Sequence, residues 1–243
     1  MPEKLKNINI PRNLTLLSKT SIPSSVVKII GGSTIYKVGT DCIINIEGDI
    51  FWVSPDITTL SITNDINRIS KGDIPKNVKC LKFLNPNLII EEGAIPYTVT
   101  EIRGSLNSYI VNSNYLASTK GVLLWVKPDV EDFDIPGDII RIGNDAFMHR
   151  DNLSSIKIGG NVRTIGSSAF HYCYNIKEII INVDLDDISQ GALKSSKICR
   201  GSHKYWYIDH EYPNKVYLPR LFKKKLLKLL GDIDYDKIVL LDN

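Results

Sequence analysis

The sequence lacks the features that define several large classes of protein. It contains no run of about 18 apolar residues, which a membrane-spanning helix needs, so we expect no transmembrane segment. Its first residues are polar and interrupted by Pro2 and Pro11, without the apolar core of a secretory signal peptide. From these absences we expect a location inside a cell or within a particle assembled there.

An excess of charge of one sign is also missing, because 30 basic and 27 acidic residues leave a net charge of only +3. This balance argues against nucleic acid as the partner. A local exception is the segment RLFKKKLLKLL, residues 220–230, which has no acidic residue. We interpret it as an amphipathic helix that caps the fold. Binding to a membrane surface or to nucleic acid stays open as an alternative for this segment.

Cysteine is scarce, and the sequence contains no CxxC pair and no cysteine beside a histidine at zinc-finger spacing. We therefore interpret the cysteines as small apolar residues. The motifs of common enzymes, G-x-S-x-G, the P-loop and the glycine-rich dinucleotide turn, are absent. His149 and His171 are interpreted as solvated loop residues. The sequence thus predicts no catalytic residue, no metal site and no cofactor.

What the sequence does contain is an internal repeat with a period of 23 residues. Five columns of apolar residues align over three copies: Ile135, Ile158, Ile181; Ile139, Val162, Leu185; Ile142, Ile165, Ile188; Ala146, Ala169, Ala192; and Phe147, Phe170, Leu193. Within each copy the pattern L-x-x-I-x-I has the period of a strand with one buried face. Such a unit buries its apolar edge only by stacking on its neighbours. We therefore expect Phe147 and Phe170 to be buried and stacked.

A longer duplication lies over this repeat, at an offset of 73 residues. The sequence Trp52-Val-Ser-Pro-Asp returns as Trp125-Val-Lys-Pro-Asp, and Gly31 returns as Gly104. We predict about seven to nine turns between residues 17 and 200, with no register assigned for residues 84–111. The glycines at positions 143 and 166 are expected to adopt a positive φ where the chain leaves one segment for the next.

These motifs resemble the BspA-type leucine-rich repeats. The family pattern I-P-x-x-V-x-x-I-G-x-x-A-F-x-x-C-x-x-L-x-x-I stands here as IPGDIIRIGNDAFMHRDNLSSI, and the next copy is IGGNVRTIGSSAFHYCYNIKEI. Asn114-Tyr115 with Gly121-Val122-Leu123 is similar to an insertion found in the family. The resemblance implies a repeat protein that binds other proteins, and it allows a surface location. Asp73-Ile74 departs from the pattern, because it stands where Ala146-Phe147 stands later.

The predicted fold is a mostly β leucine-rich-repeat solenoid of short strands stacked turn on turn, with a C-terminal strand and helix as its cap. We expect an N-terminal segment over residues 1–20, the solenoid over 21–200 and the cap over 201–243. Residues 216–218 are expected to form the closing strand. Residues 203–212 are interpreted as a connecting segment, since the spacing of their two histidines fits no zinc pattern. Their aromatic residues are an alternative partner site.

The outward residues of the predicted strands form three rows, which are Thr59, Asp132, Ser155, Glu178; Ser61, Asp134, Lys157, Ile180; and Thr63, Pro136, Gly159, Asn182. They are mostly small and polar, without an aromatic ladder, which favours a protein partner over a sugar or a nucleic-acid base. We predict that the partner-binding residues are Asp134, Lys157, Glu178, Ile180 and Asn182. The predicted function is a non-enzymatic interaction or scaffold protein. The alternatives are a structural component of a larger assembly, such as a viral or phage particle, and an enzyme on a solenoid scaffold.

Overall fold

The computed structural model describes residues 5–18, 22–181, 183, 185–189, 191–192, 215–219 and 238–241. Throughout these residues the chain forms strands and turns, with no helix. The strands are short, from two residues in the shortest to five in the longest. The mostly β fold expected from the repeat is therefore confirmed. The predicted helix at 220–230 and the segment 203–212 lie outside the described residues.

The chain divides into two compact units, Met1–Asn107 and Ser108–Asn243. The strands of the first unit are β1 (Asn7–Ile10), β2 (Lys28–Gly31), β3 (Tyr36–Val38), β4 (Cys42–Asn45), β5 (Ile50–Val53), β6 (Thr59–Ile62), β7 (Arg68–Ile69), β8 (Cys80–Phe83), β9 (Ile89–Ile90) and β10 (Glu101–Gly104). β1 pairs with β2, β8 pairs with both β6 and β10, and β7 pairs with β9, all in parallel. β3, β4 and β5 form an antiparallel meander. Parallel pairing between strands about one turn apart in sequence is the arrangement of a solenoid.

The strands of the second unit are β11 (Tyr109–Val111), β12 (Tyr115–Ser118), β13 (Val122–Val126), β14 (Asp132–Asp134), β15 (Arg141–Ile142), β16 (Ser155–Ile158), β17 (Thr164–Ile165), β18 (Glu178–Ile181), β19 (Asp187–Ile188), β20 (Lys215–Pro219) and β21 (Ile238–Leu241). One sheet is parallel, in the order β14-β16-β18-β20-β21. The other has the order β11-β12-β13-β15-β17-β19 and begins with an antiparallel meander.

The core of the second unit consists of the apolar columns that the 23-residue repeat predicts. Ile156, Val162 and Phe170 are fully buried. The rings of Phe147 and Phe170 stack with their centroids 4.9 Å apart and their planes inclined by 18°, which confirms the predicted stacking. Backbone hydrogen bonds also join the turns at these positions, since the N–H of Phe147 donates to the carbonyl oxygen of Ala169 at 2.8 Å.

The 73-residue duplication is visible strand by strand. β1 and β2 correspond to β8 and β10, because the pair Asn7↔Lys28 returns 73 positions later as Cys80↔Glu101. The meander β3–β5 corresponds to β11–β13, and each has a register shift at the same point, after Ile43 and after Leu116. The insertion expected at residues 114–123 is therefore an antiparallel meander that the chain contains twice.

A steric constraint is duplicated with it. Gly31 and Gly104 have φ values of 91° and 110°, and a Cβ at either would lie 2.3 Å from a carbonyl oxygen of the adjacent strand. That oxygen belongs to Ile10 in the first case and to Phe83 in the second. Each strand end therefore requires glycine both for its backbone conformation and for close approach.

Three sequence-based expectations need correction. Gly143 and Gly166 do not have positive φ; Asp145 and Ser168 do, at 59° and 55°. Gly166 is instead required by packing, because a Cβ there would lie 2.7 Å from the backbone nitrogen of Asn144. The strand over residues 216–218 does not close the sheet, since β21 pairs with β20 on its far side. In the third outward row, Thr63, Pro136 and Gly159 are not part of the paired sheet, because β6, β14 and β16 end before them.

The structure also assigns the register between residues 84 and 111. β9 and β10 lie there, and Ala94 and Ile95 are buried at 2% and 5% exposure. They take the place that Ala146-Phe147 takes in the second unit, and Ile74 is buried in the same way at 4%. The boundaries expected at residues 20 and 200 stay predictions, because residues 19–21 and 193–214 lie outside the described residues.

Candidate functional site

The parallel sheet of the second unit presents two outward rows of side chains on β14, β16 and β18. Cross-strand pairing aligns Asp132 with Ser155 and Ser155 with Glu178 in one row. It aligns Asp134 with Lys157 and Lys157 with Ile180 in the other. We call these six residues the outer face: Asp132, Asp134, Ser155, Lys157, Glu178 and Ile180.

Buried residues alternate with the residues of the outer face along each strand and hold these strands in position. Phe133, Ile156 and Ile179 are 8%, 0% and 1% exposed and point into the core. Because side chains of a strand alternate between its two sides, burial of these residues directs their neighbours outward. A contact surface held by buried neighbours is more precisely positioned than one on a loop.

The charged groups of the outer face are available to a partner. Asp134 and Lys157 are exposed and Glu178 is half-buried. None of these three side chains makes a hydrogen bond or ion pair with another side chain in the part of the chain that the structure describes. Asp132 differs, because its carboxylate accepts a hydrogen bond of 3.2 Å from the Ser154 hydroxyl. Ile180 is half-buried and is the one large apolar side chain in the two rows.

Four of the five predicted partner-binding residues therefore lie together on three adjacent strands. They are Asp134, Lys157, Glu178 and Ile180. The fifth, Asn182, lies outside the described residues. The sheet continues beyond β18, where β20 pairs with it and Ile180 is in register with Tyr217. Contact of these residues with a partner stays a prediction.

A second group of side chains was missed by sequence reasoning. His149, His171, Tyr172 and Tyr174 form a ring cluster, which we call the aromatic corner, at the turns that follow the buried phenylalanines. Tyr172 stacks on His171 with centroids 3.8 Å apart and on His149 at 4.5 Å. Tyr174 is tilted against Tyr172 at 5.7 Å. The two histidines are thus half-buried members of a ring stack rather than solvated loop residues.

Arg150 was also missed, because it is a charged residue at a core position. It is 1% exposed, and its guanidinium donates to the carbonyl oxygens of Val126 and Met148, the latter at 2.6 Å. It also lies 5.9 Å from the ring centroid of Trp125. Burial lowers the pKa of Arg150 to about 10, although Cys173 and Asp151 act in the opposite direction.

The repeat itself carried a signal for this burial. Arg150 stands 23 positions before Cys173, at the position where the family pattern has cysteine. Cys173 is fully buried, its thiol donates to the carbonyl oxygen of Phe147 at 2.8 Å, and burial raises its pKa to about 12. A thiol protonated at neutral pH is a poor nucleophile and a poor metal ligand. The position is therefore structural in both turns.

The described residues contain no group of three or more His, Cys, Asp or Glu side chains placed to hold a metal ion. In the same part of the chain, no helix could span a bilayer.

Comparison with known proteins identifies the repeat. Residues 125–202 match the family model described as BspA type leucine rich repeat region, in six copies. No curated protein matches the chain in sequence.

Three solved structures share low identity with the chain. A leucine rich cell surface protein from Faecalibacterium prausnitzii A2-165 is 15% identical over 77% of this chain, with a TM-score of 0.45. This chain spans 60% of the length of that protein. A leucine-rich repeat protein from Eubacterium ventriosum ATCC 27560 is 13% identical over 74% of this chain and 67% of its own, with a TM-score of 0.40. The pneumococcal vaccine antigen PcpA is 11% identical over 98% of this chain and 89% of its own, with a TM-score of 0.34.

Proposed function

Since residues 125–202 form a BspA-type leucine-rich repeat region, we propose that the protein is a non-enzymatic interaction protein that binds another protein through its outer face. The matched family model describes a structural repeat rather than an enzyme. Repeats of this kind create extended surfaces that proteins use for binding. The location inside a cell or an assembled particle stays a prediction, and the family resemblance is the argument for a surface location.

The observation that carries the proposal is the register of β14, β16 and β18. It places a negative, a positive and an apolar side chain side by side at Asp134, Lys157 and Ile180. Asp134 and Lys157 make no side-chain hydrogen bond or ion pair with another described residue, so their charges remain available for recognition. An apolar centre with charged neighbours is the usual composition of a protein interface.

The size of the outer face sets what the partner must cover. Three strands spaced about 4.8 Å apart present a strip only about 10 Å wide, whereas a stable interface buries about 800 Å² on each partner. The outer face is therefore proposed as the energetic centre of a larger interface. β20 and β21 extend the same sheet by two further strands and supply backbone on which such an interface can continue.

The experiment that tests the proposal combines Lys157→Glu with Ile180→Asp in the full chain. We expect these outward substitutions to cost only about 1 kcal/mol of folding free energy. Capture of a partner should fall about tenfold or more, because a carboxylate replaces the apolar contact and the charge beside it is reversed. The measurement is a quantitative pull-down from the native source, followed by titration of the captured protein.

A matched control is available in the first unit. Lys82 lies on the outward side of β8, in register with Ser61 and Arg103, and Ile30 on β2 is 49% exposed. Lys82→Glu with Ile30→Asp therefore makes the same changes in residue type and charge on two other sheets. The proposal requires a partner that the parent and the control capture equally and the Lys157/Ile180 variant captures poorly. Equal capture by all three proteins, with equal melting, would refute it.

A further inference from the structure

The aromatic corner is held in place by its backbone. His149 and Tyr172 have φ values of 56° and 61°, a conformation uncommon for residues other than glycine. Equivalent positions in two successive turns therefore share the same left-handed backbone. The N–H of His149 donates to the carbonyl oxygen of His171 at 2.9 Å, which links the two turns directly beneath the rings. The ring stack is thus a consequence of the repeat geometry and not of chance contact between mobile side chains.

One carboxylate, that of Asp151, influences these rings. Burial raises the pKa of Tyr174, and Tyr172 and the carboxylate of Asp151 raise it further. Asp151 is exposed. The two turns, residues 144–152 and 167–175, contain one Lys or Arg, which is Arg150. Its guanidinium donates to backbone carbonyl oxygens and the residue is 1% exposed, so these two described turns place no Lys or Arg side chain at the surface of the corner.

We propose that the aromatic corner and Asp151 bind an arginine side chain of a basic, extended segment of a partner. The face of a tyrosine ring attracts a cation, and the planar guanidinium stacks on aromatic rings better than an ammonium group does. The carboxylate of Asp151 supplies the opposite charge beside the rings. This site is separate from the outer face and does not depend on the function proposed for it.

The direct test uses two fluorescein-labelled hexapeptides in which glycine alternates either with arginine or with citrulline. Citrulline keeps the planar shape and the hydrogen-bonding groups of arginine but carries no charge. Fluorescence anisotropy with the full chain should show the arginine peptide binding about tenfold more tightly than the citrulline peptide. The net charge of +3 on the chain opposes non-specific attraction of a cationic peptide, so binding reports a local site.

Three variants locate the site. Tyr172→Asn retains a residue that tolerates the left-handed backbone, Tyr174→Leu removes a ring, and Asp151→Asn removes the charge. Each should weaken binding of the arginine peptide about threefold or more. Asp138→Asn, an exposed carboxylate elsewhere in the same unit, should leave binding unchanged. Tyr174→Leu and Asp151→Asn keep the test decisive if Tyr172→Asn does not fold.

Any of three outcomes would overturn the proposal: equal binding of the two peptides, no binding of the arginine peptide, or unchanged binding of the arginine peptide by the folded variants. The Lys157→Glu/Ile180→Asp protein should bind the arginine peptide like the parent. Failure of one proposal is therefore distinguishable from failure of the other.

Discussion

Replacing Phe170 by alanine should remove one of the largest contacts between successive turns. Phe170 is fully buried and stacks on Phe147 at 4.9 Å. Loss of a buried phenylalanine costs about 3–5 kcal/mol, with the higher values where the surroundings cannot collapse into the cavity. The N–H of Phe170 donates to the carbonyl oxygen of Ala192, and the carbonyl oxygen of Ala169 accepts from Phe147, both at 2.8 Å. Because the turns are tied on both sides, we expect a value near the upper end.

The assay is urea unfolding of the full chain, followed by circular dichroism, with the midpoint compared between variants. Phe170→Leu is the matched control, since it keeps most of the volume and should cost only about 1–1.5 kcal/mol. A cycle with Phe147→Ala should show a coupling of about 1 kcal/mol for the ring pair. An unchanged midpoint for Phe170→Ala would refute the proposed register of the turns.

Two further predictions concern the backbone and a thiol. Gly104→Ala should destabilise the chain by about 2 kcal/mol or more, because it combines a positive φ with a clash against the carbonyl oxygen of Phe83. Gly137→Ala, where a Cβ meets nothing within 4 Å, is the control and should change the urea midpoint little. Equal shifts of the midpoint in the two variants would contradict the prediction. Cys173 should resist iodoacetamide at pH 8 in the folded chain and react in urea, as read by mass spectrometry of its peptide, because burial raises its pKa to about 12. The pKa of a cysteine thiol in the unfolded chain is about 8.5, so the higher pKa of Cys173 in the folded chain stabilises the folded state fully at pH values below that. This stabilisation should decline as the pH rises from about 8.5 towards 12.

Much of the fold follows from the spacing of apolar residues. The column of Ile142, Ile165 and Ile188 predicts parallel stacking, and pairing of β15, β17 and β19 confirms it. The offset of 73 residues, seen at Trp52 and Trp125 and at Gly31 and Gly104, predicts the duplication. These features are predictable because each turn of a stacked repeat buries its apolar side chains against the neighbouring turns in the same way and therefore uses the same residue types.

The details that sequence reasoning missed depend on atoms from different turns. Arg150 is charged, and its burial is explained by its backbone acceptors, which are Val126 in a preceding strand and Met148 in its own turn. Gly166 is required by contact with Asn144 in the turn before it and not by its own φ. Tyr172 and His149 meet because left-handed backbone positions bring them together. None of these contacts is encoded in a hydropathy period.

The outer face is intermediate between these cases. Strand alternation predicted that Asp134, Lys157 and Ile180 share one side of the sheet, and the cross-strand register shows them adjacent. It also predicted a third row, which failed because the strands end at the last buried residue or before it, as β16 does at Ile158. Alternation gives the side of a sheet but not the length of its strands.

The most direct test of the central claim places a photo-crosslinking residue, p-benzoylphenylalanine, at position 157 of the full chain. A second protein carries it at position 82, the outward position on β8 in the first unit. After irradiation in an extract of the native source, we predict a discrete adduct with one partner protein from position 157 and none from position 82. Absence of an adduct at position 157, or the same adducts from both positions, would contradict binding through the outer face.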